Sequence, residues 1–135
     1  MAVFIPDQIR EAMLVHAHNC HPMEACGLLA GRGSDLRMAY PLTNTQGSET
    51  AYTVDHTEHY RALKHAESRG WELIGVFHSH PSSAAYPSPT DVRLALDPQW
   101  LYLIIGMERG PEIRGFRIEA GRISEEELFF SGLGG

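Results

Sequence analysis

Apolar residues recur at Ile9, Met13 and Ala17 within PDQIREAMLVHAHN, the spacing of one helix face, with Asp7 placed to cap it. This first helix is expected to end near CHP. The period then changes, because ACGLLAG (25–31) is almost wholly apolar and reads as a short buried strand closed by Gly31-Arg32-Gly33. LRMAYPLTN (36–44) follows as its antiparallel neighbour after a tight turn, and AYTVD (51–55) predicts a further short strand. HTEHYRALKHAESRG has Tyr60, Leu63 and Ala66 at helical spacing and stops at Gly70, a usual C-cap position. WELIGVFHSH predicts a strand, SPTDVRLALD a short helix, WLYLIIGM a buried central strand, and EIRGFRI and EELFF two closing strands. Helices alternating with strands, some joined as hairpins, predict an α/β fold in which a mixed β-sheet is flanked by helices. No repeat or linker-like stretch divides the chain, so one domain over 1–135 is expected.

At 135 residues the chain can bury a core without metal or disulfide staples. Its 17 Asp and Glu against 11 Lys and Arg, with no basic run, argue against nucleic acid as a ligand. No stretch approaches membrane-spanning length, and Pro6, Asp7, Arg10 and Glu11 break any signal-like segment, so no membrane partner is expected. Two cysteines, Cys20 and Cys26, are too few for a disulfide framework and point to a reducing cytoplasm.

The chemistry gathers in GVFHSHPSSAAYPSPTD (75–91). His78 and His80 are two apart where an apolar strand ends, and residues i and i+2 of a strand share a face, so both imidazoles can meet one ion. A catalytic zinc needs a third protein ligand, for which Asp91 is the candidate. Ser88-Pro89-Thr90-Asp91 also fits a helix start on its own, with Ser88 as N-cap, proline at the first helical position and an acid three residues on. The two readings are compatible. Glu24, just before the apolar ACGLLAG, is a candidate general base, or else a residue on the exposed lip of that strand.

With these residues in place the sequence resembles the JAMM metalloproteases, the catalytic branch of the MPN (Mov34/PAD-1) domains. The pattern of an upstream glutamate, then His-x-His, seven residues, Ser, two residues and Asp is filled by Glu24, His78, His80, Ser88 and Asp91. EACGLLAG, YTVD and GWELIGVFHSHP resemble the small standalone bacterial members, and the similarity runs from the first helix to at least YLIIG. His56 stands where relatives often have proline, which bears only on the start of the second helix. The resemblance implies an MPN/JAB domain with cytidine-deaminase-like layering. It implies Zn2+ held by His78, His80 and Asp91, Glu24 as base, and Ser88 hydrogen-bonding the oxyanion or holding the water in place. It further implies an isopeptidase-type activity on the amide bond after the C-terminal Gly-Gly of a ubiquitin-like or sulfur-carrier protein. Self-association into a homo-oligomer is left open.

Other features have plainer readings. His16 and His18 lie two apart on a helix and point away from each other, so HAHNCH reads as solvated or half-buried helix histidines. Cys26 reads as a small buried strand residue and Trp71 and Trp100 as core or edge packing. SSAAYP (82–87) is a loop beside the proposed metal, with Tyr86 as a substrate-binding candidate. The terminal Gly134-Gly135 looks like a substrate tail, and the plainer reading is a glycine-rich end without a role. Two competing readings remain: a non-catalytic MPN-fold module that binds ubiquitin-like proteins or serves as a scaffold, and a metal hydrolase acting on phosphate esters or nucleobases.

Overall fold

A computed structural model of the chain describes residues 2–131, so the Gly134-Gly135 tail lies outside the described residues. The elements run β1 (Ala2–Ile5), α1 (Asp7–Cys20), β2 (Cys26–Arg32), β3 (Asp35–Leu42), α2 (His56–Ser68), β4 (Glu72–His80), α3 (Pro89–Leu94), β5 (Leu101–Gly106), β6 (Glu112–Glu119) and β7 (Arg122–Phe130). The strands form one mixed sheet in the order β1-β3-β2-β4-β5-β6-β7, curled until it closes. β1 makes the closure: it runs parallel to β7 over four residue pairs and meets β3 at Phe4 and Asp35. The β2–β3, β2–β4, β5–β6 and β6–β7 pairs are antiparallel, and β4–β5 is parallel.

The period-two alternation of the strands sends neighbouring side chains into separate cores. Leu29, Phe77, Leu103 and Ile105 pack with Ile9, Met13 and Ala17 of α1. Leu28, Leu42 and Val76 pack with Ala62 of α2. Neighbours such as Leu28 and Leu29, or Val76 and Phe77, therefore feed opposite layers, which is why β2 and β4 read as unbroken apolar runs. The expected mixed sheet flanked by helices is the observed one.

Four local expectations need correction. AVFI, which carried no strand assignment, forms β1, stabilised by β7 rather than by a sequence neighbour. Asp7 does not cap α1: Pro6 occupies the N-cap, and its carbonyl accepts from Ile9 and Arg10, while the Asp7 N–H is taken by Ser131 Oγ at 3.0 Å. AYTVD is not a strand: it makes an isolated bridge from Val54 to Asn44, with the Thr45 N–H donating to the Thr53 carbonyl and the Asn44 side chain bonding Ala51 and Thr53. The buried face of α2 is Ala62 and Ala66, and Tyr60 is 61% exposed, because small residues let the helix lie closer to the sheet. The helix nonetheless starts cleanly at His56, since Asp55 accepts the Glu58 N–H, and Gly70 follows its end at φ 74°.

Candidate metal centre

The site forms at the C-terminal end of β4. His78 and His80 leave the strand on one face, and both are buried, with side-chain exposures of 2% and 6%. Asp91 arrives from α3. Ser88 accepts the Asp91 N–H, and the Asp91 carboxylate accepts the Ser88 N–H at 2.9 Å, a complete capping box with Pro89 at the first helical position. The same Asp91 Oδ2 that closes the cap lies 3.2 Å from His78 Nε2 and 3.1 Å from His80 Nε2. The two Nε2 atoms are 3.1 Å apart. Cap and candidate ligand are thus one carboxylate, as both readings of SPTD allow.

The chemistry of these three atoms favours a cation between them. His80 Nδ1 faces the Ala84 carbonyl at 2.9 Å, an acceptor only, so that nitrogen carries the proton and neutral His80 presents a bare lone pair at Nε2. With the carboxylate oxygen and His78 Nε2, three electron-rich atoms meet at spacings of 3.1–3.2 Å. A tetrahedral ion with ligand bonds of about 2.0–2.1 Å has ligand–ligand edges of about 3.3 Å. The donor set therefore fits such an ion, and two imidazoles with one carboxylate suit zinc. Without a metal, protons must separate the lone pairs. Burial would raise Asp91, but hydrogen bonds from His78 and His80 outweigh it and hold its carboxyl well below the usual carboxylate range. Burial likewise opposes a charge on His80, and the Asp91 and Ala84 hydrogen bonds overcome it and raise its pKa.

The Ala84 carbonyl is itself positioned by sequence. Gly106 ends β5 directly beneath Ala84 and Ala85, where any Cβ would collide with their backbone, so the loop after β4 can fold back over the strand end only because residue 106 is glycine.

Glu24 is 4% exposed, not on an open lip as its plainer reading had it, and its Oε1 has no hydrogen-bond partner among the described residues. Burial pushes its carboxyl up to about 7, with the His80 charge lowering it and the Asp91 charge raising it. A carboxyl poised near neutrality and within electrostatic reach of the ligand set is suited to take up and release a proton at physiological pH. Ser88 uses an oxygen lone pair for the cap, which leaves its O–H to donate. Tyr86 is 49% exposed, its ring edge-on to Phe116 with Arg114 above it. The small cleft that touches His78 and Asp91 is lined by Tyr52, Leu94, Ala95, Tyr102, Ile104 and Ile118 instead.

Several contributors carried no assignment in the sequence. Ser79, between the two histidines and fully buried, accepts the Ala25 N–H on Oγ at 2.8 Å and donates its own N–H to the Ala25 carbonyl. This ties the segment bearing Glu24 to the strand bearing the histidines. Ser79→Ala would leave the buried Ala25 N–H unpaired, so a loss of roughly 1–3 kcal/mol in urea denaturation is expected. An unchanged midpoint would show that Ala25 finds another acceptor. Tyr52 stacks on His78 with ring centroids 4.8 Å apart. His16 is a half-buried structural residue whose Nε2 lies 3.1 Å from the carbonyls of Cys26 and Leu42, and His18 is exposed. Cys26 is buried, and burial pushes its thiol up to about 12, which makes it a poor nucleophile.

Residues 6–119 match the family model for prokaryotic homologs of the JAB domain. A CysO-cysteine peptidase of Mycobacterium tuberculosis is 40% identical over 122 residues, which cover 87% of this chain and 83% of the relative. A probable TtuB-protein conjugate cleaving protease of Thermus thermophilus is 33% identical over 125 residues, 90% of this chain and 80% of the relative. The solution structure of a Desulfitobacterium hafniense protein matches with a TM-score of 0.86 at 39% identity, over 97% of this chain and 93% of that one.

Proposed function

The chain belongs to the family of prokaryotic homologs of the JAB domain, and from that membership we propose that it is a JAMM-type zinc metallopeptidase. Its proposed substrate is the amide bond, peptide or isopeptide, that follows a C-terminal Gly-Gly of a ubiquitin-like or sulfur-carrier protein. The observation that carries this reading is the meeting of His78 Nε2, His80 Nε2 and Asp91 Oδ2 near a buried glutamate whose carboxyl is held near neutrality. One relative is named for peptidase action on CysO-cysteine and another for cleavage of TtuB-protein conjugates, and the same kind of bond is assigned here.

His78, His80 and Asp91 would hold the zinc, which when bound polarises a carbonyl and lowers the pKa of water to near neutrality. Glu24 takes the proton from the attacking water and passes it to the nitrogen of the leaving amine. The Ser88 hydroxyl donates to the oxyanion that develops on the scissile carbonyl. His80 is kept in the tautomer that leaves Nε2 free by its bond to Ala84. Tyr86, on the loop that supplies Ala84, is offered as a contact for the substrate tail. The absence of side chains on Gly-Gly lets an extended tail reach a centre this buried. No helix among the described residues is long and apolar enough to cross a membrane, and two free thiols suit a reducing cytoplasm, where we place the protein.

The test is a carrier protein ending in Gly-Gly joined through an amide to an amino acid or a lysine side chain. Cleavage after the second glycine, abolished by a chelator and restored by added zinc, is the expected result. Stoichiometric zinc without cleavage of either linkage would move the assignment to a non-catalytic module that binds such carriers.

A further inference from the structure

The two histidines of the site are anchored in different ways. His80 donates from Nδ1 to the Ala84 carbonyl, which fixes both its tautomer and its ring plane. His78 Nδ1 is buried, and no protein group among the described residues hydrogen-bonds it. The second torsion of a histidine is soft, so a ring held only at Nε2 can turn and carry its ligand nitrogen off target. What faces this ring is Tyr52, with centroids 4.8 Å apart and planes 27° from parallel.

Tyr52 lies in a segment that forms an isolated bridge, Val54 to Asn44, and no strand, yet the backbone on both sides of it is clamped by that same residue, Asn44. Asn44 Nδ2 donates to the Ala51 carbonyl at 2.9 Å, and Asn44 Oδ1 accepts from the Thr53 N–H at 3.1 Å. The same Asn44 amide donates to the Glu24 carbonyl at 3.0 Å. Asn44 therefore sets the segment carrying Tyr52 against the segment carrying the candidate base. The ring so placed also walls the cleft that touches His78 and Asp91.

We propose that Tyr52 is a positioning residue of the metal centre, its ring face fixing the plane of His78 in place of the hydrogen bond that His80 receives. The inference rests on the zinc reading above and adds a residue outside the ligand set. It makes the flat face the working part and the phenolic hydroxyl dispensable. Partners behind metal-binding histidines are worth about 10- to 100-fold in affinity, so Tyr52→Ala and Tyr52→Leu should weaken zinc binding by that factor while Tyr52→Phe stays within about twofold of wild type.

Zinc affinity measured by competition with a chromophoric chelator, beside the thermal midpoint of each zinc-free variant, decides the matter. Tyr52→Leu refills the space without a flat face and carries the test if Tyr52→Ala does not fold. Wild-type affinity in Tyr52→Leu would overturn the proposal. So would Tyr52→Phe binding as weakly as Tyr52→Leu, which would make the hydroxyl the working group. Affinity losses that follow the zinc-free midpoints across all variants, Tyr52→Phe included, would also overturn it, by reducing Tyr52 to a packing residue. A wild type that takes up no zinc would overturn the zinc reading itself, and the role of Tyr52 with it.

Discussion

Glu24→Gln is expected to slow hydrolysis of a Gly-Gly-linked amide by about 100- to 10,000-fold, the range for losing a general acid–base group. Zinc per chain should stay at the wild-type level, because the three candidate ligand atoms come from other residues. The same substitution has an opposite effect on stability. Unfolded, Glu24 titrates near the ordinary glutamate value, so between there and about 7 the folded chain holds the extra proton. Stability contributed by this residue therefore falls as pH rises through that window and is flat above it. Glutamine never bears that charge, so zinc-free Glu24→Gln should exceed zinc-free wild type by up to about 3 kcal/mol at pH 8 and match it near pH 4. Urea titrations at the two pH values measure the difference. Equal stability at pH 8 would mean that Glu24 is solvated well enough to ionise without penalty, and a near-normal rate in the variant would remove it as the base.

Glu24 could be singled out before any fold was known because of what surrounds it in the chain. An acid beside an almost unbroken apolar run stands out in the sequence, and the burial of Glu24 makes its ionisation costly. His78, His80, Ser88 and Asp91 were equally legible, because their placement depends on local rules: strand alternation for the histidines and a capping box for the Ser-Asp pair. The limits of the reading lie with partners distant in sequence. AVFI is too short to announce itself as a strand, and it becomes one by pairing with residues 127–130. AYTVD has the alternation of a strand, but its Ala51 carbonyl and Thr53 N–H are taken by the Asn44 side chain and its Thr53 carbonyl by Thr45, contacts no periodicity reveals. Tyr60 satisfied the helical spacing as well as Ala62 did, and only the close approach of α2 to the sheet selects the smaller residue. Ser79 was hidden by its neighbours, since the middle residue of His-x-His faces away from the ligands and its contact with Ala25 spans 54 positions.

Asp91→Ala is expected to reduce zinc per chain sharply and to lower activity by about a thousandfold or more, since the Lewis acid supplies several kcal/mol of the barrier reduction. The substitution also removes half of a capping box, which by itself costs about 1 kcal/mol. A loss of zinc in Asp91→Ala alone could therefore be ascribed to a frayed α3. Asp91→Asn separates the two roles. Its amide oxygen can still accept the Ser88 N–H that now reaches Oδ2 at 2.9 Å, so the helix start is kept, whereas the negative charge facing His78 and His80 is gone. Zinc analysis and thermal midpoints of both variants then give a clear division. Asp91→Asn with a wild-type midpoint and little zinc assigns the carboxylate to the metal as well as to the cap. Full zinc in Asp91→Asn would leave Asp91 as a helix cap alone, and two imidazole nitrogens 3.1 Å apart would need a third ligand from elsewhere. The buried geometry favours the first outcome: with two imidazole nitrogens converging on its oxygen, the Asp91 carboxylate is the negative charge that makes the centre hospitable to a divalent ion.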